Sequence, residues 1–422
     1  MVKNSFKFYL EIWLTTTCKF FFKENLLQNG FVFIILASIM TLPHKVYIAL
    51  GSNKGDRLKH LQDAIDLVFK NLGKINIISR VYNTPALGFE AGASVDDFLN
   101  TCIFIETHYT ADEVMQKLLD IETKLGRTRL LGNGYESRTI DLDVLFYDDA
   151  IISSKLITTP HPQLHRRKFV LQPLNDIASK VVHPVLKQSV LELLECCEDV
   201  SAIEPINIWL KNPMKQYKFG NYNYIAIEGN IGAGKTSLTH QISNDFNAKL
   251  ILERFADNPF LPKFYEEPQR YAFTLEMSFL ADRYQQISDD LSQLDLFKDF
   301  MVSDYDIYKS LIFSKITLPE DEFRLYRKLF YLMYKDIAKP DLYVYLYQNT
   351  ERLQENIKKR GRDYEQNIQD DYLEKINTGY LEFLKNQTEL NVKIIDISNR
   401  DFIENRADYL WILEQICEKQ EG

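Results

Sequence analysis

The spacing of hydrophobic residues changes several times along this chain, and the changes divide it into blocks. Residues 1–39 are crowded with Phe and Leu without a sustained period, and they run into the apolar stretch from Phe31 to Met40. From there a short apolar run predicts a strand over residues 46–50, closed by a Gly51-Ser52-Asn53 turn. Leu58, Leu61, Ile65 and Phe69 then recur at helical spacing and predict a helix over residues 58–72. Further strands are expected over residues 75–82, 99–107 and 139–147, with helices over 111–125 and near 190–197, which is an α+β pattern. Between Val200 and Tyr224 the period is lost among Pro205, Pro213, Gly220 and several Asn, the signature of a linker. Beyond it, strands are expected over residues 224–228, 249–252, 300–303, 342–347 and 392–397, each separated by helical text. Strands spaced by helices imply βαβ units and a parallel sheet. The expected division is therefore residues 1–43 as an extension, 44–200 as a first domain, 201–221 as a linker and 222–422 as a second domain.

Composition narrows the class. With 45% hydrophobic and 26% charged residues the chain reads as folded protein rather than disordered or fibrous. Its 59 acidic and 50 basic residues leave a net charge of −9, so no global basic field exists to hold nucleic acid. Five cysteines, Cys18, Cys102, Cys196, Cys197 and Cys417, make neither C-x-x-C pairs nor an even disulfide set, which fits a reducing cytoplasm. The stretch from Phe31 to Met40 is too short for a membrane span, which needs about 20 apolar residues. Lys3 and Lys7 give a basic start, but no small-residue cleavage site follows the apolar block. The compositional break at Met40 motivates reading it as the working start, with residues 1–39 as a translated upstream extension.

The strongest local signal is Gly229-Asn230-Ile231-Gly232-Ala233-Gly234-Lys235-Thr236, a G-x-x-x-x-G-K-T loop between an expected strand and an expected helix. Glycines let backbone N–H groups face phosphate, Lys235 reaches the β- and γ-phosphates, and Thr236 holds Mg²⁺. Ligands in open parallel sheets sit at the carboxyl ends of strands, so Glu253 and Asp304, each just after a strand, are the candidate proton acceptor and a candidate group near Mg²⁺. The run Lys358-Lys359-Arg360-Gly361-Arg362 is a candidate cationic lid over a triphosphate. Asn53-Lys54-Gly55-Asp56 spells the N-K-x-D of GTPases, but it precedes the phosphate loop in the other block and is coincidental.

These pieces, with Asp257-Asn258-Pro259-Phe260, Leu275-Glu276-Met277 and Asp304-Tyr305, make residues 222–422 resemble the deoxynucleoside kinases, particularly the bacterial purine branch. The resemblance implies an α/β P-loop kinase fold with a parallel five-stranded sheet. It implies transfer of the γ-phosphate of ATP to the 5′-hydroxyl of a deoxynucleoside, with one Mg²⁺ and Glu253 as base. ATP would meet residues 229–236, Arg360 and Arg362, while Glu276 and Asp304 would face the nucleoside. Much of that family has Asp-Arg-Ser and a Gln where this chain has Asp304-Tyr305-Asp306 and Glu276.

In the first block, Asp141 and Asp143 alternate onto one face of a strand, about 6.5–7 Å apart along it. Carboxylates so placed can bracket two Mg²⁺ ions roughly 3.5–4 Å apart. Just before them lie the glycine-bounded loop from Gly126 to Gly134, carrying Arg127 and Arg129, and then Arg138. After them come His161, Arg166 and Arg167, read as further cations for a polyphosphate. Together with Ala49-Leu50-Gly51-Ser52-Asn53, Tyr82-Asn83-Thr84-Pro85, Asp97-Phe98-Leu99-Asn100 and Pro160-His161, these residues resemble the 6-hydroxymethyl-7,8-dihydropterin pyrophosphokinases. That resemblance implies a ferredoxin-like α+β fold and transfer of pyrophosphate from ATP to the pterin hydroxymethyl group, releasing AMP. Asp141 and Asp143 would hold two Mg²⁺ ions, and Glu122, His161 and Arg167 would contact ATP. Arg127, Arg129 and Arg138 would act in catalysis, with Thr84, Pro85, Leu87, Asn100 and Phe169 around the pterin. The chain departs from the family in the loop, where Gly134-Tyr135-Glu136-Ser137 stands for a Trp-Gly-Pro approach.

The combined expectation is a cytoplasmic enzyme with two ATP-dependent transferases in series. Its partners would be ATP, the pterin, a purine deoxynucleoside and a second copy of the chain through the kinase-like block, with neither nucleic acid nor membrane. Two other readings stay open: a non-catalytic nucleotide-binding regulatory second domain, and an ATP-binding scaffold without turnover.

Overall fold

The computed structural model describes residues 42–86, 96–127, 137–254, 258–292, 297–335, 337–362 and 365–418. Two of the expected site residues, Leu87 and Arg129, and the expected N-terminal extension except for residues 42 and 43, lie outside the described residues. The chain forms two compact units, divided between Asn212 and Pro213 apart from a three-residue piece of an early helix.

The first unit runs β1 (His44–Ser52), α1 (Arg57–Asn71), β2 (Lys74–Ile78), β3 (Tyr82–Thr84), β4 (Phe98–Thr107), α2 (Ala111–Lys124), β5 (Asp141–Tyr147), β6 (Ile152–Ser153), β7 (Thr158–Thr159), α3 (Lys168–Ala178), α4 (Val190–Glu195) and β8 (Glu204–Pro205). Its main sheet is antiparallel, in the order β5-β1-β4-β3-β8, with β2 also paired to β4. Alternation along β1 buries Val46, Ile48 and Leu50 on one face, while Tyr47 and Ala49 on the other pack with α3 and α4.

Three features differ from the sequence reading. The strand expected over residues 75–82 is two strands, because the Ser79 hydroxyl bonds to Arg80 O (2.7 Å) and receives the Cys102 N–H (2.9 Å), taking a place in the ladder. Part of the expected linker is sheet, since β8 pairs with β3. The helix α3 was not anticipated, and its interior Pro173 speaks against one. An interior proline costs about 3 kcal/mol, but Val170, Leu171, Leu174 and Ala178 are buried there, and each larger apolar side chain contributes about 1.5–3 kcal/mol. Packing outweighs propensity.

The second unit runs β9 (Tyr224–Gly229), α5 (Lys235–Phe246), β10 (Lys249–Ile251), α6 (Leu261–Glu266), α7 (Pro268–Ser292), β11 (Met301–Ser303), α8 (Tyr308–Thr317), α9 (Glu320–Tyr334), β12 (Leu342–Tyr347), α10 (Thr350–Arg360), α11 (Asp370–Lys385), β13 (Val392–Asp396) and α12 (Arg406–Cys417). Its five strands are all parallel, as their spacing predicts, in the order β10-β11-β9-β12-β13. Every residue of β9 is buried, so it reads as a continuous apolar run up to Glu228. A largely aromatic core including Tyr305, Tyr326, Phe330, Tyr343, Tyr345 and Tyr380 fills the unit.

No described helix is long and apolar enough to cross a membrane. Cys102, Cys196, Cys197 and Cys417 carry free thiols.

Candidate active sites

The register of the first sheet assembles the first site. Asp141 and Asn100 both lie opposite Gly51, and Asp143 lies opposite Ala49, so three strands present these side chains at one end of the sheet. A larger residue at position 51 would press on Asn100, whose Oδ1 lies 3.0 Å from where its Cβ would stand. Asn100 Nδ2 donates to the Thr84 hydroxyl at 2.7 Å. A cavity of about 190 Å³ brings together eight of the expected residues: Thr84, Pro85, Asn100, Arg138, Asp141, Asp143, Arg167 and Phe169. The Arg167 guanidinium lies over the Phe169 ring, 5.9 Å from its centroid.

Glu122, Arg127 and His161 do not line that cavity. Glu122 is buried and accepts the Leu142 N–H at 2.8 Å, anchoring the strand that carries both aspartates. Arg127 bridges Glu122 and Asp141, 2.5 Å from the latter, and Arg138 pairs with Asp141 from the other side. Asn53 has a positional role: it accepts the Arg138 N–H at 2.6 Å and donates its own N–H to Arg138 O at 3.1 Å. Asp56, the last residue of the N-K-x-D run, caps α1 through the Lys59 N–H.

Burial and the neighbouring Asp141 raise the Asp143 carboxyl above its ordinary range, against the pull of His161, Arg167 and Arg127. A half-buried, crowded carboxylate beside a second one is a hard-oxygen donor pair suited to Mg²⁺, which takes one or two protein carboxylates and fills the rest with phosphate and water. Among the described residues no cluster of three or more His, Cys, Asp or Glu ligands forms. Burial pushes the His161 imidazole below its ordinary pKa, against the pull of Asp143 and Asp141. Arg166 is exposed and donates to His165 Nε2 at 3.2 Å.

In the second unit the phosphate loop leaves β9 and enters α5 with Gly232 and Gly234 at positive φ, 84° and 79°. Gly229 cannot carry a side chain, since a Cβ would stand 2.8 Å from Leu346 O. Lys235 Nζ donates to Gly229 O and Asn230 O at 2.9 Å each, and burial, with Lys309 adding repulsion, pushes its pKa down to about 8. Asn230 is buried and ties the loop to α11 through Leu373 O and Asn377 Oδ1, both at 2.8 Å. Beneath the loop, buried Glu228 accepts the Asp306 N–H at 2.7 Å and the Tyr380 hydroxyl at 3.0 Å.

A cavity of about 120 Å³ gathers Ile231, Gly232, Lys235, Thr236, Glu253, Glu276, Asp304, Arg360 and Arg362 among its lining. Gly229, Asn230, Ala233 and Gly234 shape the loop without lining it. Asp304 accepts the Thr236 hydroxyl at 2.5 Å and the Glu253 N–H at 2.7 Å, so it stands with the phosphate-side groups. Arg360 and Arg362 both pair with Glu365.

Sequence reasoning missed what surrounds Glu253. Arg283 meets it with Nε at 2.8 Å and Nη2 at 2.6 Å, and Lys309 Nζ with 2.5 Å. Burial alone would raise this carboxyl, but Lys309 and Arg283 hold it at about 2. Arg283 falls seven residues after Glu276 on α7, two turns along one face, which is a legible signal. Lys309 carries no local signal, because only the packing of α8 brings it to β10's end.

Residues 47–179 match the family described as 7,8-dihydro-6-hydroxymethylpterin-pyrophosphokinase, and residues 225–420 match the deoxynucleoside kinase family. The chain is 37% identical over 147 residues to the 2-amino-4-hydroxy-6-hydroxymethyldihydropteridine pyrophosphokinase of Aquifex aeolicus (strain VF5), covering 35% of this chain and 88% of that protein. It is 36% identical over 199 residues to the deoxyguanosine kinase of Bacillus subtilis (strain 168), covering 46% of this chain and 96% of that protein. Over 186 residues it is 32% identical to a deoxyadenosine kinase of Dictyostelium discoideum, covering 43% of this chain and 74% of that protein.

Proposed function

This chain belongs to the 6-hydroxymethyl-7,8-dihydropterin pyrophosphokinases through its first unit and to the deoxynucleoside kinases through its second, and on that premise we propose how its residues serve two ATP-dependent transfers. The chain is bifunctional. One site moves pyrophosphate from ATP to the pterin hydroxymethyl group and releases AMP. The other moves the γ-phosphate of ATP to the 5′-hydroxyl of a purine deoxynucleoside and releases ADP. The observation that carries this reading is the pair of separate cavities, each lined by its own acids and cations.

In the first unit the β1-α1-β2-β4-α2-β5 order, with β1 and β4 central, supports a ferredoxin-like fold. Asp141 and Asp143 would hold two Mg²⁺ ions, which supply charge neutralisation and a template for the triphosphate. Arg127, Arg138 and Arg167 bind and orient phosphate, Arg129 belongs to the same basic loop, and His161 is a hydrogen-bonding partner. Asn100 and Thr84 read the pterin edge, and Phe169 stacks on its ring.

In the second unit Thr236, with Asp304 behind it, would hold one Mg²⁺ and thereby the phosphates. A carboxylate held at about 2 is too weak a base to strip a hydroxyl in advance. Phosphoryl transfer, however, asks mainly for positioning and charge stabilisation. Glu253 therefore aligns the 5′-hydroxyl as an acceptor and takes its proton as the phosphoryl group arrives, while Lys309 and Arg283 fix its direction. Arg360 and Arg362 close over the phosphates. A cytoplasmic setting and self-association through this unit complete the reading, the latter supported by Leu325, Tyr331 and Leu332 standing exposed on α9.

The test is a substrate panel on the full chain that scores AMP and ADP separately. The pterin should yield AMP and purine deoxynucleosides ADP. A pterin that yields no AMP removes the first assignment, and ADP formed preferentially with thymidine or deoxycytidine removes the purine assignment.

A further inference from the structure

Glu276 is a carboxyl with half of its hydrogen-bonding capacity unspent. It lies on α7, is 3% exposed and lines the kinase-unit cavity among the apolar walls of Phe264, Phe279, Phe313 and Tyr372. Its Oε1 accepts the Thr317 hydroxyl at 2.9 Å, while its Oε2 is buried and has no hydrogen-bond partner. An orphaned buried oxygen forfeits the hydrogen bonds that water would give it, so its place in a site calls for a ligand group to meet it. Nor do the nearby cations meet it, because Arg283 of the same helix and Lys309 of α8 are both bonded to Glu253.

Resting on the kinase assignment above, we propose that Glu276 reads the hydrogen-bonding edge of the purine in two protonation forms, the ionised form accepting guanine but not adenine and the protonated form admitting adenine, with the Thr317 hydroxyl as the group that turns between them. An ionised carboxylate only accepts, which matches the adjacent N1–H and 2-amino donors of guanine and sets its charge against the N1 lone pair of adenine. A protonated carboxyl offers one donor and one acceptor, as a glutamine amide does, and so matches adenine N1 and its 6-amino group as well as guanine N1–H and O6. Thr317 can accommodate both. Its single hydroxyl proton faces Glu276 Oε1 at 2.9 Å and Phe313 O at 3.0 Å, and it can donate to only one of them at a time. Donation to Glu276 favours the ionised form, and donation to Phe313 O releases Oε1 for the adenine amino group.

The surroundings put this equilibrium in the accessible range. Burial lifts Glu276 to about 7, opposed by Arg283, Thr317 and Lys309 and assisted by Glu253. The other titratable groups facing it are Tyr326 of α9, whose hydroxyl points at Glu276 O (3.4 Å), and Tyr372 of α11, both with pKa values raised and therefore neutral there. Adenine use should thus decline relative to guanine use as pH rises through about 7.

The experiment measures kcat/KM for deoxyadenosine and deoxyguanosine on the full chain between pH 6 and 8. Their ratio cancels every titration common to both substrates, including those of ATP and Glu253. The adenine-to-guanine ratio should level off below about pH 7 and fall above it, approaching about tenfold per pH unit, the dependence of one proton. Glu276→Gln should make the ratio independent of pH and remove adenine's disadvantage above pH 7. Thr317→Val removes a donor to the ionised form, so it should shift the ratio toward adenine above pH 7 while keeping the slope. A flat ratio in the unaltered chain, with both purines phosphorylated, overturns the switch and leaves the kinase assignment standing. A sloping ratio that survives Glu276→Gln assigns the proton elsewhere and also overturns it. Failure to phosphorylate either purine at any pH removes the kinase assignment and the switch together.

Discussion

Burying a carboxylate as deeply as Glu253 costs several kcal/mol unless cations answer it, and here Arg283 and Lys309 both do. The cluster serves two ends, which substitutions separate. Glu253→Gln keeps the shape but cannot accept the hydroxyl proton, so ADP formation should drop by about 10²–10⁴-fold while nucleotide still binds and AMP formation persists. Near-normal turnover would return Glu253 to a purely structural role. Arg283→Ala leaves the carboxylate with one cation and opens space, and should destabilise the kinase unit by about 3–5 kcal/mol in denaturant titration. At this scale the sequence offered Glu253 because an acid follows a strand end next to the phosphate loop. Of its partners, Arg283 was legible only through its helical spacing from Glu276, and Lys309, 56 positions away, left no local pattern.

Two elements carry most of the positioning. In the phosphate loop, Gly234 combines a φ of 79° with a would-be Cβ only 2.7 Å from the Phe402 ring. Gly234→Ala should therefore cost about 1–2 kcal/mol in backbone strain alone and abolish nucleotide binding at this site, measured by titration with ATP on a variant already blocked at the pterin site. Unchanged affinity would mean that the loop tolerates a side chain by moving. The helix α3 is the counterpart in the first unit, because its first turn brings Arg167 and Phe169 to the cavity and Leu171 pins it to the sheet. Leu171→Ala should cost about 2–5 kcal/mol and reduce AMP formation through a raised KM for the pterin. A stability loss without any change in KM would separate the helix from substrate positioning. The loop was legible because its chemistry demands particular residues at fixed spacing. The helix was not, because Pro173 erased the local signal and only burial against β4 restored the element.

Across the whole molecule the two chemistries rest on different units, so damage at one site should not spread to the other. Asp143→Asn should abolish AMP formation with the pterin and leave ADP formation with purine deoxynucleosides intact, scored in one product assay on the same preparation. Equal loss of both products in a folded variant would sink the division into independent sites. The sequence by itself determined the two families, the five parallel strands, the phosphate loop and the paired aspartates. Each of these is a constraint between residues near one another along the chain: an alternation of two, a helical period, or a phosphate-binding turn. Only the tertiary structure decided that Ser79 splits a strand, that part of the expected linker completes a sheet, that burial lowers the His161 pKa, and that Thr317 rather than a cation meets Glu276. Those outcomes depend on burial and on contacts between distant segments, because the same side chain changes its charge or its partner when packing removes it from water.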